Sequence, residues 1–180
     1  MRAVRVQPTG IERTFREDEL IVTKTDPRGV ITYCNDVFLR VAALAEARAV
    51  GQPHNIIRHP DMPRAVFKLM WDTLKQRQEI FAYVLNLAAD GAHYWVFAHI
   101  TPSYDADRNV VGYHSNRRLP SREAVGEIHI LYQKILEQER RHSTGDAAVA
   151  AGSRALQEAL SDVGLQYDEF VWVLTNRHTH

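Results

Sequence analysis

Residues 51–63 carry the densest chemistry in the chain: Gly51, Gln52, Pro53, His54, Asn55, Ile56, Ile57, Arg58, His59, Pro60, Asp61, Met62 and Pro63. Pro53, Pro60 and Pro63 each fix φ and remove a backbone donor, so no continuous helix or strand can run through the stretch. It reads as a shaped loop. Between the prolines, Asn55, Arg58, His59 and Asp61 offer amide, guanidinium, imidazole and carboxylate groups, while Ile56 and Ile57 can anchor the loop to a core. Either this set receives a polar ligand, or its members only cap one another and tie the loop down. Acid–base catalysis by His59 and Asp61 is not expected, because no nucleophile, oxyanion motif or second carboxylate accompanies them.

A helix must position this loop from its far side. Asp61 reads as an N-cap with Pro63 close to the first helical position, and the helix should run to about Gln76. Val66, Leu69, Met70, Thr73 and Leu74 repeat at helical spacing, with Phe67 and Trp71 flanking the stripe, so one face is core. The start of such a helix presents unpaired amides and a positive dipole end, which suits an anionic or electron-rich ligand group.

The rest of the chain supplies the frame. Residues 1–10 lack periodicity and read as mobile, and residues 11–19 as a lead-in with Ile11, Phe15 and Leu20 facing inward. Residues 20–25 and 30–33 are β-rich around a turn at residues 26–29, which makes a hairpin. Residues 37–47 read as one helix ended by Gly51. Residues 80–87, a turn at Asp90 and Gly91, residues 93–101 and residues 110–117 give three more strands. Short connections predict a five-stranded antiparallel sheet with helices packed on one face, an α+β fold. Beyond Pro120 the period changes to helical. Ser121 caps a helix reaching about Arg141, residues 147–163 form another ended by Gly164, and residues 167–174 form a third or an aromatic plug. The expected organisation is a lead-in over residues 1–19, a domain over 20–118 and a helical extension over 119–180 that docks on the domain.

Bulk properties narrow the function. Lys plus Arg and Asp plus Glu number 22 each and the sequence pI is about 7.1, so no footprint for nucleic acid or an anionic membrane is expected. No apolar run approaches the roughly 20 residues of a membrane span. The one cysteine, Cys34, excludes an internal disulfide and suggests the cytoplasm. His178 and His180 form the one pair at metal spacing, and it reads as incidental.

The residues just described resemble a PAS domain from about Leu20 to Arg118, in particular the FAD-binding PAS sensors of bacterial aerotaxis receptors and stand-alone PAS proteins of energy taxis. The resemblance rests on Thr32, Tyr33, Cys34, Asn35, Asp36, Val37 and Phe38, on the whole of residues 51–63, and on Asp90, Gly91, Ala92, His93, Tyr94, Trp95 and Val96. It implies a sensor that holds FAD between sheet and helices and reports its redox state to a chemotaxis transducer; enzymatic activity is not expected, signalling is expected by contact, and the C-terminal helices are consistent with a homodimer. It also implies that Asn35, Arg58, His59 and Asp61 serve flavin binding or signalling. Asn55 in the loop and Trp71 on the helix join them as candidate contacts. Period two along the fourth strand puts His93, Trp95, Phe97 and His99 on one face. Trp95 and His99 are ligand contacts if that face lines the pocket, and ordinary buried or capping residues if it meets the appended helices.

Two departures leave alternatives. Ile80 and Phe81 stand where the aerotaxis sensors start the third strand with tryptophan, and Leu87 and Ala88 where they carry a basic pair. Both favour a cofactor-free interaction module whose pocket is filled by its own side chains. A heme-based gas sensor needs an axial histidine, for which His54, His59, His93, His99 and His114 are conceivable. Cys34 reads as a packed side chain, not a photochemical adduct site.

Overall fold

The computed structural model describes residues 6–177. The first strands, β1 (Ile21–Thr25) and β2 (Ile31–Cys34), form the expected hairpin. Asp26 builds its turn by accepting the amides of Arg28 and Val30. Gly29 takes φ 82° there, and a Cβ in its place would press on the Trp71 ring at 3.1 Å.

The single helix expected over residues 37–47 is instead two pieces, α1 (Asp36–Ala42) and α2 (Glu46–Ala49). Ala43 turns left-handed at φ 53°, and the amides of Ala43 and Leu44 close the helix end on Arg40 and Leu39. An alanine at this position gives no warning of a stop, since the residue normally found there is glycine.

After a 3-10 turn at His54–Ile57, α3 (Arg64–Lys75) begins later than expected. Asp61 does not cap it. Pro63 stays extended, so the first turn starts at Arg64, and its free amides are taken by a residue far downstream. Glu139 accepts Arg64 N at 3.0 Å and Ala65 N at 2.8 Å, while Asp61 pairs with Arg140 at 2.7 Å. The first two amides of α3 are therefore not open to a ligand.

Strands β3 (Ile80–Leu87), β4 (His93–Tyr104) and β5 (Val110–Arg118) complete a five-stranded sheet in the order β2-β1-β5-β4-β3, antiparallel throughout. Apolar residues such as Val96, Ala98 and Ile100 of β4 face α3 and the loop before it. The alternate residues Trp95 and Phe97 face the other way, towards the C-terminal helices.

Those helices are α4 (Arg122–Arg140), α5 (Gly145–Val163) and α6 (Tyr167–Arg177), with Ser121 and Thr144 as N-caps and Gly164 as a left-handed C-cap. They dock on the sheet and on α3. The Tyr132 hydroxyl of α4 donates to the Tyr83 carbonyl at 2.7 Å, Trp172 of α6 packs on Phe81 at 5.2 Å, and Gly152 of α5 lies against Glu139 and Ala65. Helices thus cover both faces of the sheet.

Of the segment expected to be mobile, residues 1–5 lie outside the described residues and residues 6–10 run into backbone bonds with the domain. Thr9 N donates to Gly91 O, His93 N donates to Ile11 O and Arg13 pairs with Asp90 at 2.5 Å. Phe15 is buried as expected, but Ile11 is exposed. His178 and His180 also lie outside the described residues.

Candidate functional site

A cavity of about 440 Å³ opens between the inner face of the sheet and the wall made by the 3-10 turn and α3. Its volume lies in the range of small-molecule sites. Trp71, Phe67 and Tyr113 give it aromatic surface, and Val84, Ala98, Ile100, Met70 and Leu74 make its floor and sides apolar. Trp71 meets Tyr113 edge to face at 5.5 Å, which fixes both rings.

The polar groups of the cavity are unevenly satisfied. Arg117 projects from β5 into the interior and is only 5% exposed. Its Nη2 donates to Thr23 Oγ1 at 3.1 Å and to His54 Nε2 at 2.7 Å. Because His54 Nε2 accepts that bond, the ring is neutral with its proton on Nδ1. Burial, with the Arg117 charge added to it, holds the His54 pKa well below its ordinary value. Burial also pulls the Arg117 guanidinium down to about 10, which leaves it charged at neutral pH. Among the described residues Arg117 Nη1, Ser115 Oγ and Asn86 Nδ2 have no hydrogen-bond partner, and all three residues line the cavity. Buried donors left this way are costly unless something completes them.

The charge of the lining is one-sided. Arg28, Arg58, Lys68 and Arg117 line the cavity, and among the described residues no carboxylate does. Arg28 and Lys68 lie towards solvent and pair with Asp26 and Asp72 outside the lining. Arg58 lays its guanidinium over the Phe67 ring at 4.4 Å. A buried cation, three orphaned polar atoms and an aromatic wall suit a planar, electron-rich ligand with anionic character.

This arrangement of sheet, loop and helix agrees with the comparison to known families, in which residues 31–117 match the family described as PAS fold. The chain contains a PAS domain. The chain is 36% identical over 119 residues to the aerotaxis receptor of Escherichia coli (strain K12), covering 66% of this chain and 23% of that protein. It is 34% identical over 101 residues to a nitrogen fixation regulatory protein of Klebsiella pneumoniae, covering 56% and 20%. The chain therefore spans less than a quarter of the length of these curated relatives. The solved PAS domain of a protein from Colwellia psychrerythraea has the same fold, with a TM-score of 0.51 at 20% identity, covering 55% of this chain and 84% of that one. Sensing of a signal is the role this family and these relatives have in common.

The candidate residues of the PAS domain divide. Asn55, Arg58 and Trp71 line the cavity. Asn35 does not: its side chain caps α1, accepting Phe38 N at 3.0 Å and Val22 N at 3.1 Å and donating to Leu20 O at 2.8 Å. It ties α1 to β1, with both acceptor positions of its oxygen and one of its two amide hydrogens engaged. His59 and Asp61 lie beyond the cavity, next to α4; His59 Nδ1 accepts Asp61 N at 3.0 Å. Trp95 and His99 are on the opposite face of the sheet. Trp95 packs beside Tyr132 and His129, and His99 stacks on Phe81 at 4.1 Å and pairs with Glu79 at 2.6 Å. Of the two readings of that strand face, contact with the appended helices is the one realised.

Arg117, Ser115, Asn86 and Thr23 were missed. Their signal was present as polar residues at period two where the inner face should be apolar, most plainly Asn86 inside the run Ile80–Leu87 and Arg117 two residues from Ser115. Departures at residues 80–81 and 87–88 pointed to a less basic, self-filled pocket. The cavity is instead open and lined by four cations contributed by other elements.

Proposed function

We propose that the chain is a non-enzymatic sensory and signal-transduction module, with residues 20–118 as sensor, that holds FAD in the cavity and reports redox or energy state to a chemotaxis-type transducer in the cytoplasm. The observation that carries this reading is Arg117: a buried, charged guanidinium with a free Nη1, in an aromatic and apolar cavity without a carboxylate. Such a group calls for an electron-rich acceptor that the ligand must bring. FAD, when bound, supplies a ring whose charge and hydrogen-bonding pattern change on reduction. Arg117, Ser115 and Asn86 are the residues placed to meet its polar edge. Trp71, Phe67 and Tyr113 offer ring surface, and Arg58, Arg28 and Lys68 lie where a pyrophosphate would seek cations. The resemblance to aerotaxis sensors and the similarity to an aerotaxis receptor support the transducer as partner and redox state as signal. Homodimer formation belongs to the same reading. Among the described residues no helix is long and apolar enough to cross a membrane.

Heme is the weaker ligand for this cavity. Among the histidines of the described residues only His54 lines it, and its Nε2 is engaged by Arg117.

The test is an absorption spectrum of the purified chain with a titration by FAD. The two-banded visible spectrum of oxidised flavin is expected, and Arg117→Met should weaken FAD binding by roughly tenfold or more, the effect of losing one charged hydrogen bond. A Soret band, or a colourless chain that takes up no FAD, overturns the reading.

A further inference from the structure

A second cleft, of about 550 Å³, lies between the loop that carries Arg58 and His59 and the connection from α4 to α5. We infer that this cleft binds a phosphate-type oxyanion, gripped by Arg58 and Arg64 from the PAS core and bounded by Arg140 and Ser143 from the C-terminal helices.

The charges explain why an anion is needed there. Glu139 is the one carboxylate in the lining among the described residues, and both its oxygens are committed to the amides of Arg64 and Ala65. Arg140 is answered by Asp61. Arg64 has no ion pair among the described residues. Arg58 has none either, its one polar contact being a long 3.5 Å bond to Met62 O. The two guanidiniums are close enough to act on each other: after burial, the charge of Arg64 is the next cause that lowers the Arg58 pKa, with the Glu139 charge acting against it. Two arginines that repel across a polar cleft, with the nearby carboxylates already engaged, are relieved by a compact oxyanion that accepts from both.

Arg58 also lines the 440 Å³ cavity, so it stands in the wall between the two spaces. The anion has two conceivable sources: the pyrophosphate of a ligand seated in the cavity, or a free phosphorylated small molecule. The chemistry of the cleft is the same for both. Its walls come from the core on one side and the C-terminal helices on the other, so an anion held there ties the two together. Binding must therefore raise the melting temperature.

The experiment uses the full chain, with inorganic phosphate and pyrophosphate as probes at constant ionic strength, read by calorimetry and thermal shift. Saturable binding and a rise in melting temperature are expected, with pyrophosphate the tighter probe. Arg64→Ala should weaken it at least tenfold, and Arg64→Lys should recover part of the loss. Arg64 has an exposed side chain and lies outside the 440 Å³ cavity, so these variants should fold like the parent. Competition between FAD and pyrophosphate would support the site and identify the source as a ligand's own phosphates. Simultaneous binding would support it and identify a free anion. Absence of saturable binding, or equal affinity in Arg64→Ala and the parent, overturns the inference. Failure of FAD to bind leaves the phosphate titration interpretable, because inorganic phosphate and pyrophosphate are titrated into the cleft without any ligand in the cavity.

Discussion

At the scale of single residues, His54 makes the stability of this protein depend on pH. Burial first, and the Arg117 charge second, depress its pKa well below the ordinary 6.5, and burial lowers that of His59 in the same direction. An unfolded chain takes up protons on these rings near 6.5, whereas the folded chain resists until lower pH. The unfolded state thus binds more protons below 6.5, and stability falls as pH drops. A melting temperature that is level from about pH 8 to 7 and declines towards about pH 5 is expected. His54→Gln, which can still accept from Arg117, should flatten the decline; an unchanged slope would contradict the assignment. The sequence pointed to the loop that lines the cavity, though not every residue it singled out there faces the cavity. Asn55, Arg58 and Trp71 were legible because their own elements aim them at the cavity. Arg117 was not, because its neighbours His54 and Thr23 are 63 and 94 residues away. Asn35, His59 and Asp61 looked equally polar in sequence, and nothing local to them reveals that they bond to Phe38, to a loop amide and to Arg140.

Between elements, the firmest joint is the one that Glu139 makes between α4 and α3. Its carboxylate does the work of an N-cap from another helix, and it is 5% exposed. Glu139→Ala would leave the buried amide of Ala65 and its neighbour without acceptors, at a cost of about 1–3 kcal/mol. Glu139→Gln keeps one accepting oxygen and should lie between. Urea denaturation of the three proteins checks the ranking, and a Gln variant as weak as the Ala variant would show that charge, not acceptor number, dominates. Gly152 belongs to the same joint. A Cβ there would sit 2.5 Å from Glu139 Oε1 and 3.0 Å from the Ala65 Cβ, so Gly152→Ala should be destabilising as well. Since α3 also walls the cavity, any shift of α3 is felt directly by the C-terminal helices. This joint was invisible in the sequence, where Asp61 offered a local cap and drew the start of α3 too early.

For the whole molecule, the helices after Pro120 share the core of the domain. They cover the outer face of the sheet, where Tyr83, Leu85 and Trp95 are buried. Truncation after residue 120 should expose that surface and produce a chain that binds hydrophobic dyes and loses thermal stability. A soluble fragment with the parent's melting temperature would count against this. The sheet order and the strand positions were legible because alternation and turn residues are local signals, and the PAS resemblance arranged them. The side on which the late helices dock was left open by the sequence, because residues 93–99 have large side chains on both faces of the strand.

One contact gives the loop of residues 53–63 a second duty. Strand β3 lies at the edge of the sheet, yet Arg58 bridges to Asn86 and the Met62 sulfur accepts the Leu85 amide at 3.5 Å. The loop is thus also a guard rail for the strand that would otherwise recruit another chain's backbone. A lesion that lifts this loop does more than empty a binding site: it uncovers a template for strand addition, so its damage grows with protein concentration as self-association.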